Sequence, residues 1–513
     1  MTAPFRRLLL ISLCLLVGLA SLEAREPRPA VAPIRHMGVD GTLILAPGNP
    51  HAEVVQRFVE FAGKDKARVV IVAFDRRAPA VTELRQQLIA AKVEKPITIT
   101  PMEALKGMAL NEATGVWVLN LDKLPPGTET RLQSYLSPGH VLAISGSGVE
   151  HVGASRWNLL PGSLVTCDTC SDAPSKALTV QLTKSPGLFG LAIESSSDSN
   201  PAVIVQGREI KQLGTGRIRF MLAASSTRPV RVEALNPTGV EDLTLWRRAA
   251  IARTQEPFPI EKPAPPIVKH GSLVIVGGGG MPEDVSKKFI ELAGGPDAPI
   301  VVLPTSMPDP LPLDGGSSFF KRFGATKVTT INARKKEDVE SAENLKALRE
   351  AKAIWFGGGR QWRFVDAYEG TAAYELIHDV LQRGGVIGGS SAGATIQGDY
   401  LVRGSPHGPQ FMMCEGYERG FNFLPGTAID QHFAQRKRFV DMTALMKVYP
   451  QYLGIGLDEA TAIVVQGQIA TVMGRGQVHL YDRRLPVPQE GNDYQSFKSG
   501  TRLDLVARKE LDQ

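Results

Sequence analysis

The chain has 513 residues, 43% of them hydrophobic and 21% charged, with 51 Gly and 36 Pro. That balance excludes a disordered or fibrous protein, and the length calls for more than one domain. The formal charge of +6 is spread along the chain without a long basic run, which argues against a nucleic-acid partner.

Arg6 and Arg7 precede an apolar stretch from Leu8 to Ala20, with small and charged residues following through Arg25. This order reads as a secretory signal peptide, residues 1–24, cleaved after Ala20 or Ala24, so export to the periplasm or medium is expected. The run is too short for a stable membrane anchor, and Cys14 lies inside it rather than at its end. Past the signal, Cys167-x-x-Cys170 leaves a disulfide and two free thiols both open. Without His partners or a second pair it gives no zinc site.

The remainder repeats itself. Gly41-Thr-Leu-Ile-Leu-Ala-Pro-Gly-Asn49 resembles Gly271-Ser-Leu-Val-Ile-Val-Gly-Gly-Gly279, an apolar strand ending in a Gly-rich turn. Phe58-Val-Glu-Phe-Ala-Gly63 matches Phe289-Ile-Glu-Leu-Ala-Gly294, and apolar runs follow at Val69 to Val72 and Ile300 to Leu303. Trp117 then stands opposite Trp355, and Gly139 to Gly148 opposite Gly384 to Gly393. Asn158-Leu-Leu-Pro-Gly162 matches Asn422-Phe-Leu-Pro-Gly426, and Val203-Ile-Val-Gln-Gly207 matches Ile463-Val-Val-Gln-Gly467. So many matches in one order point to a duplication, with domains at 38–255 and 271–513. Residues 256–270 hold five prolines and read as a stiff linker.

Within each half, strand, Gly-rich turn and helical periodicity alternate, as at Ser286 to Leu292 and Thr371 to Gln382. This predicts an α/β fold: a mostly parallel sheet flanked by helices, with a ligand crevice at its carboxyl edge. Alternation across Thr461 to Val472 and Gln477 to Tyr481 adds antiparallel hairpins.

Four stretches of the second half carry chemistry. Gly389-Ser390-Ser391-Ala392-Gly393 lies between the strand Gly385 to Ile387 and a helix-like Ala394 to Gln397, the setting a nucleophile elbow needs. G-x-S-x-G by itself is common in a Gly-rich chain. Gly357-Gly-Gly359 ends the neighbouring strand, where backbone N–H groups can approach a carbonyl. Asp430-Gln-His-Phe433 with Arg436 and Arg438 offers an imidazole base beside two guanidinium forks. Gly454-Ile-Gly-Leu-Asp-Glu459 ends a strand in two acids, either of which can hold the imidazole's tautomer. The order Ser, His, acid is not the Ser, acid, His order of α/β-hydrolases.

As a set, these stretches resemble the cyanophycinase family of serine peptidases, relatives of aspartyl dipeptidase. The family motifs stand here as Gly389 to Ala394 (Ser390 replacing Thr), Gly358-Gly-Arg-Gln361, Asp430 to Arg438 and Gly454 to Glu459. The resemblance implies two tandem class I glutamine-amidotransferase-like (flavodoxin-like) domains, of which the second is complete. It implies Ser391 as nucleophile, His432 as base, Glu459 as orienting acid, and the N–H groups of Gly359 and Ala392 as oxyanion donors. Gln361, Asp430, Gln431, Arg436 and Arg438 would line the substrate pocket. The implied substrate is cyanophycin, cut to β-aspartyl-arginine dipeptides, with no metal or organic cofactor. Two positions depart from the family: Asp441 stands where a third arginine is usual, and Arg360 where an acid is frequent. They leave hydrolysis of other aspartyl or β-aspartyl peptides open. A non-catalytic binder of acidic peptides, gripping through Arg436 and Arg438, is the rival class.

In the repeat alignment Ser391 falls opposite Gly146, His432 opposite Asp168, Glu459 opposite Ser195 and Gln361 opposite Lys123. The first half is therefore expected to be catalytically silent, packing on the second as a pseudo-dimer partner, with a homodimer also open.

Overall fold

The computed structural model describes residues 38–512 apart from 155, 171–174, 197–198, 312–313, 315 and 489. The signal-peptide reading lies outside these residues. Among them no helix is long and apolar enough to cross a bilayer.

The first half builds a large sheet from β1 (Val39–Ala46), β2 (Val69–Val72), β3 (Ile97–Ile99), β4 (Gly115–Leu119) and β5 (Val141–Ser145). A small sheet follows from β6 (Ser163–Thr169) and β7 (Phe189–Ser195); β8 (Ala202–Gly207) and β9 (Glu209–Leu213) return to the large sheet. β10 (Arg217–Leu222) and β11 (Arg231–Ala234) extend the small one, and β12 (Glu241–Asp242) closes the large one. The second half opens with β13 (Val268–Val276), β14 (Ile300–Leu303), β15 (Val328–Thr330), β16 (Ala353–Phe356) and β17 (Val386–Ser390). Next come β18 (Gly398–Tyr400), β19 (Leu424–Gln431), β20 (Leu453–Leu457), β21 (Thr461–Gly467), β22 (Ile469–Gly474) and β23 (Gln477–Asp482). The chain ends in β24 (Gln495–Lys498), β25 (Arg502–Asp504) and β26 (Lys509–Glu510).

The two large sheets have the same strand order: β3-β2-β4-β5-β1-β8-β9-β12 and β15-β14-β16-β17-β13-β21-β22-β25-β26. In each, five parallel strands meet an antiparallel hairpin at the first strand of the half. The small sheets agree likewise, β6-β7-β10-β11 against β19-β20-β23-β24, with β18 added at the edge of the second. The fold is α/β, as the strand–turn–helix pattern predicts.

Fully buried parallel strands are apolar throughout, so each large sheet buries both faces under helices. Helices Ala52–Phe61 and Glu283–Leu292 cover matching faces. Phe58 packs on Trp117 (ring centroids 4.8 Å) and Phe289 on Trp355 (5.1 Å). Asn158 and Asn422 both take left-handed backbone, with φ of 50° and 57°.

Three differences from the sequence reading stand out. β13 begins at Val268, inside the segment taken as linker. The stiff linker is also held on the second half, which its prolines do not indicate: the Phe258 ring stacks on Tyr400, and the Ile260 N–H donates to the Tyr452 hydroxyl. The helix after Ser391 is a single turn, Ala392–Thr395, that starts two residues before the helix-like stretch read from the sequence. Cys167 and Cys170 both carry free thiols.

Candidate active site

β13, β16 and β17 run parallel, and their carboxyl ends converge at Val276, Phe356 and Ser390. Ser391 follows directly, with φ 57° and ψ −114°, a conformation that costs a non-Gly residue of the order of 1–3 kcal/mol. The flanking glycines make it possible. A Cβ on Gly389 would overlap the Gly393 carbonyl, and one on Gly393 the Phe356 carbonyl. Only bare backbone lets the chain turn so sharply against its neighbour, which leaves the Ser391 hydroxyl above the sheet.

His432 directly follows β19, and Glu459 lies two residues past β20, the adjacent parallel strand of the small sheet. Ser391 Oγ lies 2.9 Å from His432 Nε2, and His432 Nδ1 lies 2.6 Å from Glu459 Oε1. With the carboxylate accepting at Nδ1, the ring carries its proton there and Nε2 accepts from the serine. Burial holds the imidazole pKa below its ordinary value near 6.5; Arg436 and Arg438 push the same way, and Glu459 opposes them. The ring is 8% exposed, so a substrate can reach it but bulk water is mostly excluded.

One turn indexes all three side chains. The carbonyls of Val276, Gly277 and Gly278 accept in succession from the N–H groups of Ser391 (3.0 Å), His432 (2.8 Å) and Ala460 (2.8 Å), the last next to Glu459. Ser391, His432 and Ala460 all have positive φ, so each turn is pinned where it is strained. A Cβ on Gly278 would come within 2.6 Å of His432 Nε2, and one on Gly279 would overlap the Glu459 side chain. The glycines of this turn therefore allow the imidazole and carboxylate to pack on backbone. In the sequence they signal only a strand end; their contact with His432 depends on how two sheets meet.

Gly359 and Ala392 stand beside the serine. A Cβ on Gly358 would touch Ser391 Cβ at 3.4 Å, so the 357–359 turn lies against the elbow. Ala392 opens its helical turn, which leaves its N–H without a helical acceptor.

The expected pocket residues divide in two. Gln431 Oε1 lies 3.4 Å from Ser391 Oγ, beside the shorter bond to His432, and Arg436 is exposed near His432. Asp430, Arg438 and Gln361 lie beneath the surface, at 0%, 4% and 3% exposure. Asp430 is shared by two buried guanidiniums, Arg403 Nε (3.0 Å) and Arg438 Nη1 (2.7 Å), because a buried carboxylate is stable only when paired. Gln361 donates to the Val402 carbonyl at 3.4 Å. These three are held inside the protein beside the site, not open to a substrate as the resemblance implied. Arg403 is the residue that sequence reasoning missed, since it sits in an irregular stretch with no periodic signal. Its guanidinium also reaches Asp441 at 2.7 Å, so the acid at that departure from the family is paired rather than bare. Arg360, the other departure, donates to the Ser405 carbonyl at 2.6 Å. No group of three or more His, Cys, Asp or Glu side chains suited to a metal occurs among the described residues.

Residues 273–473 match Peptidase family S51. The cyanophycinase of Geminocystis herdmanii is 29% identical over 205 residues, covering 39% of this chain and 75% of that protein. That of Synechococcus elongatus is 29% identical over 235 residues, covering 44% and 73%. Among solved structures, a peptidase from an acI-B1 Actinobacterium is 24% identical and covers 46% of this chain and 97% of its own, with a TM-score of 0.36. A putative peptidase E from Listeria monocytogenes is 18% identical, with a TM-score of 0.32 over 40% of this chain and 99% of its own. The sequence matches and the strand-edge serine fall in the same stretch, and through it the second half of the chain is a cyanophycinase-like member of peptidase family S51, a serine-type peptidase.

Proposed function

We propose that Ser391 is the nucleophile, His432 its base and Glu459 the acid that orients the imidazole. The observation that carries this reading is the unbroken hydrogen-bonded line from Ser391 Oγ through both ring nitrogens to Glu459. As Ser391 Oγ attacks a peptide carbonyl carbon, its proton passes to His432 Nε2, and Glu459 stabilises the resulting imidazolium. The N–H groups of Gly359 and Ala392 receive the negative oxygen. The imidazolium then protonates the departing amine as the C–N bond breaks, leaving an acyl-serine. Water, giving a proton to the same nitrogen, hydrolyses that ester and restores the hydroxyl.

The substrate we propose is an aspartyl or β-aspartyl peptide, with cyanophycin cut to β-aspartyl-arginine as the favoured case, given the named relatives. The leader-like N-terminus favours export, and so scavenging outside the cytoplasm. The shared strand order supports reading residues 38–255 as a non-catalytic copy of the second half. One feature favours a second reading, a hydrolase of short acidic peptides: the half-buried Arg360 guanidinium has no carboxylate partner among the described residues.

Fluorophosphonate labelling tests the chemistry: wild type reacts at Ser391 and Ser391→Ala does not. Absence of labelling in folded wild type would leave only a binding protein. Insoluble cyanophycin and an aspartyl and β-aspartyl dipeptide panel test the substrate. Clearing by wild type alone supports the polymer reading; dipeptide cleavage without clearing moves the assignment to a dipeptidase.

A further inference from the structure

Residues 38–255 lack the catalytic set, yet they meet the second half through charge. Their cations face its acids. Arg228 donates to Glu418 (2.6 Å), Arg253 to Glu415 (2.6 Å) and Arg231 to Glu415 (3.4 Å). Arg248 pairs with Glu369 and donates to the Gly416 carbonyl at 2.9 Å. Gly416, at φ 91°, sits so close to the helix Leu243–Ala252 that a Cβ would come within 2.7 Å of the Ala249 nitrogen. From the other direction, His407 reaches Glu241 at 2.7 Å.

Apart from Glu369 and from Asp366, which Arg248 and Arg208 also reach, these contacts fall on one stretch, 407–418, and that stretch is tied to the site. Leu401 N–H donates to the Glu418 carbonyl (2.7 Å), and Arg403 N–H to the Met412 carbonyl (3.0 Å). So the gripped strip is laced to 401–405. That segment in turn supplies the Val402 carbonyl to Gln361, the Ser405 carbonyl to Arg360 and the Arg403 guanidinium to Asp430. Asp430 precedes Gln431, which touches Ser391. The Ser391–His432–Glu459 line hangs from a different support, the carbonyls of 276–278.

We propose that the first half is a built-in clamp: by gripping 407–418 it positions the substrate side of the site while leaving the reacting triad untouched. Arg228 and Arg253 are then positioning residues. The idea rests on the reading of the site given above.

The test compares full-length wild type with Arg228→Ala/Arg253→Ala, with Arg228→Lys as the conservative variant and Arg57→Ala as an exposed control. Three quantities are read: the rate of fluorophosphonate labelling at Ser391, kcat and KM on a soluble oligo(β-aspartyl-arginine), and amide exchange. The expected result is KM raised about tenfold, with labelling rate and kcat within about twofold. Exchange should quicken across 400–419 and around 360–362 but not in β13 or β17, and Arg228→Lys should stay near wild type. Unchanged KM and exchange overturn the clamp, as does loss of labelling and kcat with KM intact. If wild type is not labelled, or is labelled but leaves the oligomer uncut, the failure belongs to the proposed chemistry or substrate. Exchange alone then decides: local quickening rescued by Arg228→Lys upholds the clamp, and flat or global change sinks it.

Discussion

Gly278→Ala isolates the alignment of the triad from the stability of the fold. An ordinary carbon contact begins near 3.4 Å, and the new methyl would stand 2.6 Å from His432 Nε2. The nearest ring atom, Cε1, would be closer still at 2.4 Å, so the ring must retreat by about 1 Å, and a retreat of that size away from Ser391 would open the 2.9 Å bond past hydrogen-bond reach. A displacement of this order costs about 10²-fold in rate, or about 2.7 kcal/mol of barrier. The substitution also strains the backbone, because Gly278 has φ 96°. Gly280→Ala supplies the matching control: its φ is 106°, and nothing lies within 4 Å of its would-be Cβ. Both variants should lose a similar 1 to 2 kcal/mol of stability, as a rough figure for alanine in that region. Only Gly278→Ala should label slowly with fluorophosphonate, by about 10²-fold relative to Gly280→Ala. Equal labelling rates for the two, with both folded, would refute the claim that this turn sets the imidazole's place.

Glu459→Gln keeps the shape and removes the charge; kcat should fall by about 10² to 10⁴ with KM little changed, as steady-state kinetics will register. The pH profile of kcat/KM should lose activity on its acid side below 6.5, because the base works only when neutral and burial lowers the His432 pKa. Arg436→Ala removes an exposed cation that adds to this lowering, so its acid limb should move to higher pH, read from the same profile. Asp430→Asn strips a fully buried carboxylate from Arg403 and Arg438, and denaturant titration should show a loss of about 3 to 5 kcal/mol.

What the sequence made legible has local causes. A Gly-x-Ser-x-Gly stretch is common by itself, but its place between an apolar strand and a helix start let the strained turn at Ser391 be expected. His432 and Glu459 each end an apolar strand, and parallel neighbours bring such ends together. The pocket was less legible, because burial is a property of the assembled fold. Asp430 and Arg438 look like substrate grips in a polar motif, but Arg403 approaches from a distant irregular segment and closes them into a buried ion cluster. Asp441 likewise changes meaning once Arg403 is seen beside it. The linker's prolines suggested stiffness, yet Phe258 and Ile260 had partners on the second half that no local pattern announces.

The same distinction bears on the proposal that the first half is a non-catalytic copy. β5 and β17 occupy the same place in their sheets, and Gly146 follows one as Ser391 follows the other. Gly146 retains left-handed backbone at φ 71°, so the sharp turn persists. But a Cβ there would overlap the Asn120 side chain, which occupies the space a nucleophile would need, and Asn120 is itself held by its N–H on the Ser145 carbonyl at 3.0 Å. Placing serine at 146 would therefore require the Asn120 amide to move before a hydroxyl could fit, and the position opposite His432 in the small sheet is Asp168, on β6. Strand order and turn geometry depend on backbone and apolar burial spread over many residues, whereas hydrolysis depends on three side chains. The first can outlast the second, so a non-catalytic copy, as proposed, can keep the frame that the clamp requires.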